Sequence, residues 1–226
     1  MRPSAILFDL DNTLVDRDAS LKEYAYRFYV DFRERLEQGE AKTVLDVITR
    51  VDAGGYGGWD TIINALETRL AWISPPRPSE LAAHRFDHYA PSAKAMVGLY
   101  KTLHQLRQQG FVLGIITNGS EHSQQGKIDF LELAPYLSTI VISGAIGIKK
   151  PDARIFETAL AEINLSADVT WFVGDHPMND MLGAAAVGLT PVWRRGFHPW
   201  PDGHTEPESQ IDSLTDIFTL LDQETG

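Results

Sequence analysis

The sequence predicts an α/β protein: a core built on a parallel sheet, interrupted by an inserted all-helical domain. Three observations lead there. Short apolar runs recur along the chain, and stretches of helical period lie between them. Some seventy residues after the first run are helical in period with no convincing strand among them. Regular alternation of strand and helix patterns implies parallel pairing, because each return to the same sheet edge needs a crossover helix.

Ala5 to Asp9 opens the core as an apolar run ending abruptly in acid, the pattern of a strand buried on both faces whose carboxyl end meets solvent. Phe111 to Thr117, Thr139 to Ile142, Val169 to Val173 and Thr190 to Trp193 repeat the form. Between them, Ala93 to Gln109 places Val97, Tyr100, Leu103 and Leu106 at helical spacing, and Ser120 to Leu131, Asp152 to Ile163 and Asn179 to Val187 also read as helices. The segment from Asp16 to Tyr89 carries at least three further helix patterns. The first holds Leu21, Ala25, Phe28, Phe32 and Leu36, the second Val44, Leu45, Ile48 and Val51, and the third Trp59, Ile62, Ile63, Leu66 and Leu70. Such a span exceeds an ordinary crossover of about a dozen residues. The expected division is therefore a core of residues 1–15 and 90–226 around a helical domain of residues 16–89.

Composition removes whole classes of function. With no cysteine among 226 residues there is no disulfide framework, no thiolate metal site and no thiol nucleophile. A net charge of −11 without a basic run argues against a general nucleic-acid or anionic-membrane binder. The N-terminus reaches Asp9 and Asp11 too soon for a secretory signal, and no stretch approaches the roughly 20 apolar residues of a membrane span. A soluble cytoplasmic protein is the expectation.

The chemistry gathers just past the strands. Asp9-Leu10-Asp11 ends the first, where two carboxylates can both turn into the crevice in which open α/β sheets bind ligands. One can attack while the other moves protons, although an isolated D-x-D is more often a turn or a helix cap. Thr117-Asn118-Gly119-Ser120 ends the second core strand at a helix N-terminus, a setting that favours an anion. Lys150 precedes another helix and can neutralise a bound phosphate or the nucleophile, with Lys149 beside it as a competitor for the role. Gly174-Asp175 and Asn179-Asp180 follow a further strand, and their hard oxygens suit Mg²⁺ better than zinc. In the helical domain, Gly54-Gly55-Tyr56-Gly57-Gly58-Trp59 is either a mobile loop able to lie over a site or a simple turn before a helix. Tyr56, Trp59 and His176 are the candidates for substrate contact. The basic, aromatic stretch Arg194 to Trp200 reads as an ordinary surface loop.

Asp9-Leu10-Asp11-Asn12-Thr13-Leu14-Val15, Ile116-Thr117-Asn118-Gly119, Lys150-Pro151 with Ile155-Phe156, and Val173-Gly174-Asp175 with Asn179-Asp180 occur in the order seen in the haloacid dehalogenase superfamily, which the sequence resembles over most of its core. The resemblance implies a doubly wound, Rossmann-like hydrolase core with a helical cap inserted after the first strand. It makes Asp9 the nucleophile that forms an aspartyl-phosphate and Asp11 the acid and base. It makes Thr117 or Asn118, with Lys150, the phosphoryl ligands. Asp9, the Asp11 carbonyl and Asp175 become the Mg²⁺ ligands, with Asp180 a further ligand or an anchor. An acid at position 11 favours phosphate chemistry over dehalogenation, and Lys22 and Lys42 read as surface residues rather than Schiff-base amines. The expected activity is a Mg²⁺-dependent phosphatase of a small phosphorylated metabolite. A phosphosugar mutase of the same superfamily and a receiver-like phosphate-binding module are the alternatives.

Overall fold

The computed structural model describes residues 2–37, 39–55 and 57–224. In chain order the strands and longer helices are β1 (Ala5–Phe8), α1 (Arg17–Phe32), α2 (Ala41–Asp52), α3 (Trp59–Arg69), α4 (Pro78–His88), α5 (Leu99–Gln108), β2 (Val112–Thr117) and α6 (Glu121–Phe130). They continue with β3 (Thr139–Ile142), α7 (Ser143–Ile146), α8 (Ala153–Ile163), β4 (Thr170–Gly174), α9 (Gly183–Ala186), β5 (Thr190–Arg194), β6 (Gln210–Ile211) and α10 (Ile217–Gln223). A π-helical turn, Pro177–Leu182, leads into α9. The chain divides into two compact units, Met1–Asp16 with Ala95–Gly226, and Arg17–Lys94.

The first unit is an α/β fold on a parallel sheet ordered β3-β2-β1-β4-β5-β6. β1 is buried at every position, as a central strand covered on both faces must be. It pairs with β2 on one side and β4 on the other, so the direction of winding reverses there and the carboxyl ends of β1, β2 and β4 border one crevice. Gly114 of β2 is required by close approach, since a Cβ there would lie 2.3 Å from Thr139 Cγ2 and 2.8 Å from Leu7 Cδ2. The face between β4 and α8 is closed by Phe172 and Phe156, whose rings meet edge to face at 5.3 Å.

Two expectations for this unit change. Val97 is not on a buried helix face: it is 86% exposed, and α5 begins only at Leu99, after Gly98 at φ +83°. Its buried stripe is Leu99, Thr102, Leu103 and Leu106, while Tyr100 sends its hydroxyl to the Leu131 carbonyl at 3.1 Å. β6 and α10 went unpredicted because a two-residue strand and a seven-residue helix carry almost no periodic signal.

The second unit is helical. Leu21, Tyr24, Ala25, Phe28 and Phe32 line one stripe of α1 and pack against Val44, Val47 and Ile48 of α2, Ile62, Ala65 and Leu66 of α3, and Leu81 of α4. α4 was not anticipated; Pro78 starts it, and Glu80 Oε2 accepts the Arg77 N–H at 2.9 Å. The unit runs past Tyr89 to Lys94, whose N–H donates to Ser20 Oγ at 2.9 Å and whose Nζ pairs with Glu23 at 2.9 Å. Arg17 and Asp52 form an ion pair at 2.6 Å that ties the start of α1 to the end of α2. Lys22 is exposed, and Lys42 pairs with Asp46 at the surface. No helix among the described residues is long and apolar enough to cross a membrane.

The buried Phe172 supports the site from beneath, its ring centroid 5.2 Å from Lys150 Nζ. Phe172→Ala should destabilise the fold by about 3–5 kcal/mol, read as a lower denaturant midpoint. A change under about 1 kcal/mol would mean the face collapses around the cavity.

Candidate functional site

Asp9 follows β1 and keeps the sheet going for one more bond, its N–H donating to the Val173 carbonyl at 2.8 Å. The chain then turns back, with Leu14 and Val15 N–H groups both on the Leu10 carbonyl and Asn12 at φ +61°, a left-handed conformation that asparagine tolerates. The turn sends the Asn12 amide to Asp175 Oδ2 at 3.0 Å. Asp175 stands at the end of β4, where Trp193 Nε1 donates to its carbonyl at 3.1 Å. Lys150, 2% exposed, reaches Asp9 Oδ1 at 2.5 Å and Asp180 Oδ1 at 2.7 Å. Asp180 Oδ2 accepts the His176 N–H at 3.0 Å.

Carboxylate oxygens of Asp9, Asp175 and Asp180 all lie within 4.8 Å of one another. Three buried carboxylates around one ammonium leave two formal negative charges uncompensated. The consequence is visible in their acidity. Burial, then the Asp180 and Asp11 charges, push the Asp9 carboxyl up to about 7 against the pull of Lys150. Burial, with Asp9 and Asp180, pushes Asp175 up to about 8, opposed by Asn12 and Lys150. Asp180 and Asp9 in turn hold the Lys150 ammonium above its usual value despite its burial. An all-oxygen donor set with more carboxylates than the ammonium can balance fits a hard divalent cation such as Mg²⁺.

Asp11 sits in a second network. Lys127, 3% exposed on α6, places Nζ 2.7 Å from Asp11 Oδ1 and 2.8 Å from Oδ2. The Gln124 amide bridges Asp11 Oδ2 at 3.0 Å and Thr117 Oγ1 at 2.6 Å, while its carbonyl oxygen accepts from Lys127 at 2.9 Å. Thr117 thus ends β2 beside the acid pair. The Asn118 side chain is committed elsewhere: its amide donates to the Lys150 carbonyl at 3.0 Å and its oxygen accepts the Lys150 N–H at 2.8 Å. This reciprocal pair makes Asn118 the residue that positions Lys150.

The remaining candidates separate. His176 Nδ1 accepts from the N–H groups of Met178 and Asn179, capping the turn that carries Asp180, and its ring lies 4.7 Å from that of His198. Trp59 belongs to the core of the helical unit, edge-on to Tyr24 at 5.6 Å, 4.6 Å from Tyr89 and under the Arg85 guanidinium. Tyr56 lies outside the described residues.

Residues 6–193 match the family model described as haloacid dehalogenase-like hydrolase. The chain belongs to this family. It is 30% identical over 243 residues to a glyceraldehyde 3-phosphate phosphatase of Pyrococcus furiosus, a match spanning 100% of this chain and 95% of the relative. It is 34% identical over 152 residues to a phosphoserine phosphatase of Thermus thermophilus, spanning 64% and 58%. Among solved structures, the putative hydrolase YfnB of the same superfamily from Bacillus subtilis, bound to magnesium, superposes with a TM-score of 0.72 at 23% identity, covering 98% of this chain and 99% of that one.

Within this haloacid dehalogenase-like core, Gln124, Lys127 and His198 were missed by sequence reasoning. Gln124, Lys127, Ile128 and Leu131 follow helical i, i+3, i+4, i+7 spacing, so two polar residues on an inward stripe were a usable signal. His198, whose Nε2 is 3.4 Å from Asp175 Oδ2, had none, because the contact depends on how the loop after β5 returns over the sheet. The stretch expected to be an ordinary surface loop therefore borders the acidic cluster.

Gly174 admits the Asp180 carboxylate: a Cβ there would lie 2.5 Å from Asp180 Oδ2 and 2.6 Å from its Cγ. Gly174→Ala should displace that carboxylate and destabilise the protein by about 1–3 kcal/mol, measured by chemical denaturation. A wild-type midpoint would show that Asp180 has another place to go.

Proposed function

We propose that this chain is a Mg²⁺-dependent phosphatase of a small phosphorylated metabolite, working through an aspartyl-phosphate on Asp9. The observation that carries the reading is the pairing of Asp9 with Lys150 beside Asp175 and Asp180, with a second carboxylate, Asp11, held two residues away by Lys127. Relatives of matching length named glyceraldehyde 3-phosphate phosphatases, and the shorter match to a phosphoserine phosphatase, support a phosphomonoester of a small polar metabolite as substrate.

Asp9 attacks phosphorus, and the bond from phosphorus to the leaving oxygen breaks with its electron pair going to that oxygen, which takes a proton from Asp11. Asp11 then accepts a proton from the water that attacks the aspartyl-phosphate, releasing phosphate and restoring Asp9. Lys150 steadies Asp9 and offers its charge to the phosphoryl oxygens, joined by the Thr117 hydroxyl. Asp9, Asp175 and the Asp11 carbonyl would hold Mg²⁺, with Asp180 as the anchor, since both its oxygens already accept hydrogen bonds. Bound there, Mg²⁺ would supply positive charge against the phosphoryl oxygens. Lys127 and Gln124 act by fixing the direction of the Asp11 carboxylate.

Phosphate release from phosphorylated metabolites and from an aryl phosphate should require Mg²⁺, stop in EDTA, and vanish in Asp9→Asn. Asp11→Asn should lose about 10²–10⁴ in rate on alkyl phosphates and less on aryl phosphates, whose leaving groups need no proton. Full activity in excess chelator, or a well-folded Asp9→Asn with near-wild-type turnover, overturns the reading.

Lys127→Met should lower kcat about 10–100-fold with little change in KM, because a misdirected Asp11 costs the chemical step rather than binding. An unchanged kcat would show that Asp11 is aimed without its lysine.

A further inference from the structure

We propose that Asp31, His84 and His88 form a second metal site in the helical unit, selective for a borderline dication of the zinc type. Asp31 projects from α1, and His84 and His88 stand one turn apart on α4, the i, i+4 spacing that sets two imidazoles on one helix face. Donor atoms of the three residues all lie within 4.8 Å of one another. In a tetrahedral site with metal–ligand distances of about 2.0–2.1 Å, neighbouring donors stand about 3.3 Å apart. Asp31 Oδ2 and His84 Nε2 are already at 3.0 Å, and the His88 ring centroid is 4.5 Å from that of His84.

His84 is built as a fixed ligand. Its ring is wedged against Phe28 and Phe32, each at 5.2 Å, and Tyr24 at 5.6 Å, so its rotamer is set by the core. Burial depresses its basicity, against the pull of the neighbouring Asp31. The Tyr24 hydroxyl lies 3.3 Å from Nδ1, and burial holds it in the protonated form. With metal absent, Nε2–H can donate to Asp31 while Tyr24 donates to Nδ1. With metal bound, Nδ1–H donates to the Tyr24 oxygen and Nε2 turns its lone pair to the ion. Such a partner on the far nitrogen is the usual orienting contact of a metal-bound histidine.

A hydrogen-bonded bridge between α1 and α4 needs only Asp31 and His84; His88 adds a second imidazole on the same side. The Asp31 side chain is 40% exposed, which leaves a route for the ion and a position for water. A competing cation, Arg27 Nε at 3.9 Å, makes a half-exposed contact worth at most about 1 kcal/mol. Two nitrogens and one oxygen favour zinc or its neighbours over magnesium, the reverse of the carboxylate cluster in the core. A bound ion would cross-link α1 to α4 within the helical unit.

The test is calorimetric titration of untagged, chelator-stripped protein with Zn²⁺ in saturating Mg²⁺, so that the core carboxylates are occupied. Wild type should bind one equivalent with micromolar affinity or better. His88→Ala should weaken this more than tenfold and Tyr24→Phe about tenfold, while Asp175→Asn binds as wild type. Asp31→Asn, at an exposed position, should match His88→Ala and serves in its place where that variant does not fold. Absence of saturable Zn²⁺ binding in wild type, wild-type affinity in the ligand variants, or loss of the signal in Asp175→Asn would overturn the proposal.

Discussion

Lys150 lies 2.5 Å from Asp9 and 2.7 Å from Asp180 where almost no solvent reaches, and Asp175 adds a third buried carboxylate to the same cluster. Removing one partner of a buried ion pair costs about 3–5 kcal/mol, so the ammonium cannot be dispensed with, yet it neutralises only part of the charge around it. That deficit organises the rest of the site. Asn118 grips the Lys150 backbone from both ends of its amide, Gly174 stays bare so that Asp180 fits, and Trp193 and Asn12 hold Asp175. Such restraints keep like charges together, and they leave room for the positive charge of a cation and the reaction of an anion.

The parallel sheet makes this gathering possible at low cost. β1 lies between β2 and β4, so residues far apart in sequence arrive at adjacent strand ends, although the whole helical unit intervenes between β1 and β2. Asp9 and Asp11, separated by one residue, enter different networks: the first meets Lys150 and the second meets Lys127 and Gln124 on α6. Distinct surroundings for two neighbouring carboxylates are what a division between attack and proton transfer requires.

Much of this was legible because strand ends are marked in sequence by abrupt changes from apolar to polar. Asp9 and Asp175 directly follow such changes and Thr117 sits at one, whereas Lys150 and Asp180 lie further along, in the loop before α8 and the turn before α9, and the structure brings Asp9, Lys150, Asp175 and Asp180 together. Asn118 was expected to bind anion and is found on the Lys150 backbone, a contact that only the approach of the loop before α8 can create. Lys127 is buried where Asp11 and Gln124 pair with its ammonium, a partnership that no single stretch of the sequence contains. Trp59 was drawn toward substrate by its glycine neighbours, whereas the aromatic residues of α1 and the turn after α4 claim it for the helical core. Val97 misled through periodicity alone, since Gly98 starts the helix later than the apolar pattern does.

On the proposed reading, Asp9 carries the phosphoryl group during turnover. Acid quenching during turnover, borohydride reduction of the trapped acyl phosphate and peptide mass spectrometry test it directly. Homoserine should appear at position 9 only when substrate and Mg²⁺ are both present. Unmodified Asp9 throughout a phosphate burst, or reduction at another carboxylate, would contradict it.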